Sequence, residues 1–138
     1  MMLSIKAMDH IVLNVQDMEG ILDFYINVLG LPGERVEEYQ KGEVPFPSVR
    51  VNADTLIDLF PIAEQGETIT GDQRAILNHF CMVIAKTDMS GVIAHLEQHG
   101  VAIAEGPATR WGAHGNATSI YFFDPEGRKI EIRSYDSP

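Results

Sequence analysis

The chain has 138 residues and is 45% hydrophobic, which is enough to form one core without disulfides. Its formal net charge of −10 repels phosphate backbones and anionic lipids, so we expect no nucleic acid or membrane partner. The single Cys81 lies between Phe80 and Met82, which predicts a buried thiol and excludes a disulfide within the chain. Residues 1–15 do not resemble a signal peptide, and no apolar run is long enough to span a bilayer, so we expect a cytoplasmic protein.

The first half of the chain has the pattern of one helix among several strands. Apolar residues alternate over residues 5–15, and they recur at helical spacing between Asp17, a candidate N-cap, and Gly30. The predicted elements are a strand over residues 5–15, a helix from Asp17 to Gly30, two strands between residues 33 and 52, and a strand over residues 56–61.

The second half repeats this order after a linker over residues 63–74, which is rich in Gly, Thr and acidic residues. The predicted elements are a strand over residues 76–85, a helix from Asp88 to Gly100, a strand over residues 101–104, a loop over residues 106–116, and strands over residues 119–123 and 128–133 joined by a turn at 124–127. We therefore predict an α+β fold in one domain of residues 1–138. It contains two tandem β-α-β-β-β modules, over about residues 4–62 and 75–135.

Each module places a histidine in its first strand and a carboxylate in its last. These residues are His10 and Asp58 in the first module and His79 and Glu131 in the second. If the modules pack about a pseudo-twofold axis, the four side chains converge on one cavity. Imidazole and carboxylate together suit Fe(II), Mn(II), Ni(II), Co(II) or Zn(II), with positions left for substrate oxygens. The alternative is structural, with both histidines bonded to the backbone and Glu131 in an exposed row of alternating charges.

Several characteristic strings occur in order along the chain. They are Asp9-His-Ile-Val-Leu-Asn-Val15, Phe24-Tyr25, Val28-Leu-Gly-Leu31, Asn78-His-Phe80, Tyr121-Phe-Phe-Asp-Pro-Glu-Gly127 and Lys129-Ile-Glu131. Together these strings resemble the vicinal oxygen chelate superfamily, which includes glyoxalase I, extradiol dioxygenases and fosfomycin-modifying thiol transferases. The resemblance covers nearly the whole chain. It implies curved mixed sheets around a metal and substrate cavity, and commonly a homodimer.

The resemblance implies one divalent metal ion held by His10, His79 and Glu131. Asp58 stands at the position of a fourth ligand, a Glu in glyoxalase I, and is one methylene shorter. It is therefore a ligand, a supporting carboxylate or unconnected with the site.

Residues 106–116 resemble a substrate loop of extradiol dioxygenases, and Tyr121 matches their catechol-contacting tyrosine. Trp111 follows Thr109-Arg110, where those enzymes have a histidine. An indole donates one hydrogen bond but does not accept or shuttle a proton near neutral pH. His114 is the candidate replacement, with an exposed loop histidine as the alternative. The resemblance thus implies a substrate pocket that includes Arg110, Trp111 and His114.

The function expected from the resemblance is that of a metal-dependent lyase or isomerase that chelates vicinal substrate oxygens, with Glu131 as ligand and general base. An extradiol dioxygenase with Fe(II) and a metal-free small-ligand binding protein are the alternatives. Glutathione and phosphonate substrates are not supported, because Arg50 and Arg110 stand isolated in an acidic chain. His95 and His99, one helical turn apart, are expected to be exposed rather than metal ligands.

Overall fold

The computed structural model describes residues 3–62, 77–123, 125 and 127–136 and has the α+β composition predicted from the sequence. The predicted linker over residues 63–74 lies outside the described residues, as do Asp124 and Glu126 of the predicted turn. No helix in the described part of the chain is long and apolar enough to cross a bilayer. The strands are β1 (Ile5–Val15), β2 (Gly33–Glu34), β3 (Ser48–Asn52), β4 (Thr55–Pro61), β5 (Leu77–Ile84), β6 (Glu105–Gly112), β7 (Gly115–Phe123) and β8 (Lys129–Ser134), and the helices are α1 (Met18–Leu22), α2 (Val36–Gln40) and α3 (Met89–Gln98).

The chain forms two compact units. The terminal unit contains Met1–His10 and His79–Pro138, and the central unit contains Ile11–Asn78. His10 and His79 stand at the junctions between these segments, so both predicted histidine ligands belong to the terminal unit together with Glu131. The module boundaries inferred from the sequence repeat stay a prediction.

The terminal unit is built on the strand order β1-β5-β8-β7-β6. Strand β8 runs parallel to β5 and antiparallel to β7, which is antiparallel to β6. One face of these strands is apolar and packs with α3 through Ile84, Met89, Val92, Leu96, Ile120, Phe122 and Ile132. Because side chains alternate along a strand, the opposite face is left for the intervening residues, which include Cys81, Tyr121 and Glu131.

Helix α3 begins and ends as the sequence predicts. The Asp88 carboxylate accepts a hydrogen bond from the Ser90 N–H at 3.1 Å, and Gly100 adopts a φ of +79° just beyond the helix. Val92 and Leu96, four residues apart, are both buried, so the helix presents one apolar stripe to the sheet.

The central unit has the strand order β2-β3-β4-β1 and a core around Val15, Val49 and Leu59. Asp17 caps α1 by accepting the Gly20 N–H at 3.1 Å, and Gly30 follows the helical segment with a φ of +77°. The predicted helix is therefore confirmed, although its second half, Asp23–Val28, is π-helical.

Three sequence predictions of local structure are wrong. Residues 36–40 form helix α2 rather than a strand, since this segment lacks period-two alternation and carries two acidic residues in its first turn. Residues 101–104 are not a strand, and most of the predicted loop over residues 106–116 forms strand β6. The Gly and Pro content of that segment suggested a loop, but residues 108–112 pair in register with residues 115–119 of β7.

Candidate metal centre

The three predicted metal ligands meet in the terminal unit. The Nε2 atom of His10 lies 3.2 Å from Oε1 of Glu131, and the Nε2 atom of His79 lies 3.0 Å from the same oxygen. All three side chains are buried, and Glu131 is only 1% exposed. Two imidazoles from β1 and β5 therefore converge on one carboxylate oxygen from β8.

Strand register explains how residues so far apart in sequence meet. Glu131 pairs with Cys81 across the parallel β5–β8 ladder, and His79, two residues before Cys81, lies on the same face. Isoleucines on both sides of Glu131 belong to the apolar core under α3. The structural alternative of an exposed row of charges is therefore wrong for Glu131, and Arg133 of the same row is completely buried.

The donor set fits a divalent cation. Two donors bound to one ion at about 2.1 Å and at a right angle are about 3.0 Å apart, close to both observed nitrogen–oxygen distances. The ligand atoms of all three residues lie within 4.8 Å of one another. In neutral His10, a proton on Nδ1 that bonds Asp9 leaves a lone pair on Nε2 facing an oxygen lone pair of Glu131. Such a pair of lone pairs requires a cation, either an added proton or a metal ion.

The other oxygen of Glu131 is held by polar side chains. The Ser119 hydroxyl donates to Oε2 at 2.7 Å, and Nη1 of Arg133 lies 3.5 Å from the same atom. Burial acts to raise the pKa of Glu131, but the hydrogen bonds with both histidines and Ser119 outweigh it and hold the pKa well below its usual range. Glu131 is therefore ionised at neutral pH, as a metal ligand must be.

Asp9 is a buried carboxylate that the sequence patterns did not assign to the site. Its Oδ2 atom lies 2.7 Å from Nδ1 of His10 and accepts the Ala113 N–H at 3.0 Å, while its Oδ1 atom accepts the Tyr135 hydroxyl at 2.6 Å. Burial acts to raise the pKa of Asp9, but these hydrogen bonds and the positive charge of Arg133 keep it below the usual value. Asp9 thus fixes the orientation of the His10 ring. Its position beside His10 in the first matching string was the available signal.

Arg133 connects the two buried carboxylates to the turn between β6 and β7. Its Nη1 atom lies 3.6 Å from Asp9 and 3.5 Å from Glu131, and its guanidinium donates to the carbonyls of Arg110, Trp111 and Gly115. The site therefore contains two negative charges and one positive charge before a cation is added. That balance favours a divalent cation over an anion at His10, His79 and Glu131, which we call the triad.

The fold and the triad agree with the comparisons to known proteins. A model of the Glyoxalase/Bleomycin resistance protein/Dioxygenase superfamily matches residues 7–132. The chain belongs to this superfamily. The resemblance to the vicinal oxygen chelate fold is thereby confirmed.

Three relatives illustrate the range of this superfamily. Virulence protein STM3117 of Salmonella typhimurium is 32% identical over 95% of this chain and 85% of its own length. Catechol-2,3-dioxygenase of Bacillus subtilis is 27% identical over 87% of this chain but only 38% of its own length. A Mn(II)-bound glyoxalase from Novosphingobium aromaticivorans has the same fold, with a TM-score of 0.64 over 96% of this chain and 40% of that protein, at 15% identity.

In this chain Tyr121, the predicted substrate contact, lies next to the triad. It pairs with Glu131 across the β7–β8 ladder, and its ring contacts that of His79 edge to face at 5.5 Å between centroids. Tyr121 is 5% exposed, and burial together with the charge of Glu131 raises its pKa well above the usual value. Its hydroxyl is therefore protonated at neutral pH and suited to donate a hydrogen bond.

The other predicted pocket residues lie on the β6–β7 hairpin. Trp111 is partly buried, and its carbonyl accepts a hydrogen bond from Arg133 at 2.8 Å. His114 is exposed, and its ring contacts Tyr135 at 5.5 Å. The Tyr135 hydroxyl accepts the His114 N–H at 3.1 Å and donates to Asp9. Thus His114 reaches the triad through a short chain of contacts.

The sequence predicts that Arg110 is isolated from other cations, and this prediction is wrong. Its guanidinium lies 5.9 Å from the centroid of the Tyr121 ring, and the Lys129 ammonium lies 4.9 Å from the same centroid. The expectation failed because Lys129 comes from another strand, and only the β6-β7-β8 order brings the two cations to one ring.

Asp58 is buried in the central unit, where it accepts the Ser48 hydroxyl at 2.5 Å. Its role as a fourth ligand stays a prediction. The rings of His95, in the last turn of α3, and His99, its C-cap, lie 4.7 Å apart between centroids. His99 is exposed as expected, whereas His95 is half-buried. Neither belongs to the groups of described residues that could hold a metal ion. Cys81 is completely buried, and burial raises its pKa well above the usual value.

Proposed function

We propose that this protein is a metal-dependent enzyme, most simply a lyase or isomerase that acts on a small molecule with two neighbouring oxygen atoms. The observation that carries the proposal is the convergence of the His10 and His79 Nε2 atoms on one buried Glu131 oxygen. These three residues would hold one divalent ion, of Fe, Mn, Ni, Co or Zn. When bound, such an ion supplies a Lewis acid that polarises a substrate carbonyl and stabilises the charge that develops on its oxygen.

The surrounding residues orient the ligands and the substrate. Asp9 holds Nδ1 of His10, so that Nε2 faces the site, and Ser119 holds Oε2 of Glu131, so that Oε1 faces the histidines. Tyr121 would donate its hydroxyl proton in a hydrogen bond to a substrate oxygen. Oε1 of Glu131 would be occupied by the ion and Oε2 accepts the Ser119 hydroxyl, so the role of ligand fits Glu131 better than the predicted role of general base.

The test of metal binding is stoichiometry. Protein loaded with Mn(II), Co(II), Ni(II), Zn(II) or anaerobic Fe(II) and then desalted should retain close to one equivalent per chain, and the retained metal should raise the melting temperature. His79→Ala and Glu131→Gln should each lose the metal while keeping the circular-dichroism spectrum. His99→Ala, which removes an exposed histidine on α3, is the matched control and should retain it. Wild-type protein that holds no metal would support the alternative of a metal-free binding module.

An extradiol dioxygenase with Fe(II) is the second candidate, favoured by the similarity to the Bacillus subtilis catechol-2,3-dioxygenase. Trp111 argues against it, because an indole does not supply the proton transfer of a histidine. The two candidates differ in oxygen consumption. Fe(II)-loaded protein that consumes oxygen with a panel of catechols would favour the dioxygenase, whereas turnover of dicarbonyl-derived substrates without oxygen uptake would favour the lyase or isomerase.

The homodimer and the cytoplasmic location expected from the sequence remain proposals. Light scattering of the purified protein distinguishes a dimer from a monomer of 15.3 kDa.

A further inference from the structure

One carboxylate on the strand face that carries Tyr121 is shared between two cations. Oε2 of Glu105 lies 3.6 Å from Nη2 of Arg110, and Oε1 of the same residue lies 3.4 Å from Nζ of Lys129. Each oxygen therefore faces a different cation. We call these three residues the Glu105 clamp.

The Glu105 clamp adjoins the triad through a single aromatic ring. Glu105 pairs with Tyr121 across β6 and β7, and Tyr121 pairs with Glu131 across β7 and β8, so the three side chains share one face. The Tyr121 ring contacts His79 on one side and has both cations of the clamp within 6 Å of its centroid. A small molecule bound at the triad would thus extend past Tyr121 toward Arg110 and Lys129.

Glu105 is a replaceable partner for the two cations. It is about half exposed and Arg110 is 45% exposed, so both ion pairs are in contact with water. Solvent-exposed ion pairs of this kind stabilise a folded chain only weakly. A carboxylate of a bound molecule would therefore displace Glu105 at little cost in stability. One of its oxygens would then face Arg110 and the other Lys129, as the two oxygens of Glu105 do now.

We propose that the substrate carries a carboxylate, separated by a few carbon atoms from its two metal-chelating oxygens, which binds between Arg110 and Lys129 in place of Glu105. This inference rests on the proposed function, because the triad must hold the other end of the molecule. It assigns substrate selection to the clamp and chelation to the triad.

Two 2-oxo acids that differ only at the distal end test the inference. Both 2-oxoglutarate and 2-oxopentanoate present the same neighbouring carboxylate and carbonyl oxygens, but only the first has a second carboxylate. Isothermal titration of Mn(II)-loaded wild-type protein should give about tenfold tighter binding of 2-oxoglutarate, the effect of one charge-assisted hydrogen bond. Arg110→Gln and Lys129→Gln should each remove most of that preference. Glu105→Gln should increase it, because the competing carboxylate is lost.

Arg128→Gln is the matched control, since it removes a neighbouring exposed cation outside the clamp and should change the preference less than twofold. Equal binding of the two acids by wild-type protein would overturn the inference and leave the metal-dependent function standing. A Glu105→Gln protein that weakens 2-oxoglutarate binding as much as Arg110→Gln does would identify the clamp as a purely structural ion cluster. Failure of the loaded protein to bind either acid, or to hold Mn(II), would count against the proposed function itself.

Discussion

Replacing Asp9 by Asn tests whether this buried carboxylate tunes His10 as a proposed metal ligand. Asparagine has the same shape and can still accept the His10 Nδ1–H, so the change removes the negative charge rather than the geometry. Residues that support a metal-ligating histidine in this way are worth about 10–100-fold in metal affinity, or about 1.4–2.8 kcal/mol. Because asparagine keeps a neutral hydrogen bond, we expect a loss of metal affinity near the lower end, about tenfold.

The structure gives two reasons for a loss of this size. The Asp9 contact with His10 is short, at 2.7 Å, and fully buried, so solvent does not screen it. The Oδ2 atom of Asp9 also lies 3.6 Å from Nη1 of Arg133. Without the negative charge of Asp9, the positive charge of Arg133 is less well balanced and repels a cation at the triad more strongly. Both effects weaken cation binding.

The assay is competition for Co(II) between the protein and a chelating indicator, with the visible spectrum of the bound Co(II) as a second readout. Tyr135→Phe removes one hydrogen bond to Asp9 but keeps its charge, and should lower the affinity by less than Asp9→Asn does. Asp88→Asn, the same change at the exposed cap of α3, should leave it unaltered. An Asp9→Asn protein that is folded and binds Co(II) within twofold of wild type would refute the reasoning.

Two further predictions concern stability. A Cβ at Gly112 would lie 2.2 Å from Nη1 of Arg133 and 2.5 Å from Oδ2 of Asp9, so Gly112→Ala should destabilise the protein by about 1–3 kcal/mol in urea unfolding, and an unchanged midpoint would contradict this. The pKa values of Asp9 and Glu131 lie below the usual carboxyl range, so their ionised forms stabilise the metal-free fold above about pH 4, and this stabilisation is lost as the pH falls through the lowered values. The free energy of unfolding, measured by urea titrations between about pH 5 and pH 3, should therefore fall less steeply with decreasing pH for Asp9→Asn than for wild type. Equal slopes for the two proteins would contradict this prediction.

The sequence identified the three side chains of the triad better than it identified their surroundings. His10, His79 and Glu131 could be found because each stands in a short string tied to a strand. Asp9 could not be placed by pattern, because period-two alternation assigns neighbouring residues in β1 to opposite faces, whereas its carboxylate bonds the ring of His10. The burial of Arg133 could not be predicted from the alternating charges around Glu131, because its partners are carbonyls near residues 110–115 that only the fold brings together.

The errors in local structure have a similar origin. Strand β6 contains Gly106 and Pro107, which are typical of loops, but its pairing with β7 outweighs that local tendency. Helix α2 is only five residues long, too short for a clear period of 3.6 residues. Long elements with one apolar face, such as α3 and β1, were predicted correctly, because burial of that face decides their structure.

The division of the chain into a terminal and a central unit has a consequence for biosynthesis. His10 is synthesised 69 residues before His79 and 121 residues before Glu131, its two partners in the triad. The segment Ile11–Asn78, which forms one of the two compact units, is fully synthesised before Glu131, so we expect it to begin folding first. A nascent chain should therefore acquire the proposed metal site only after β8 has been synthesised.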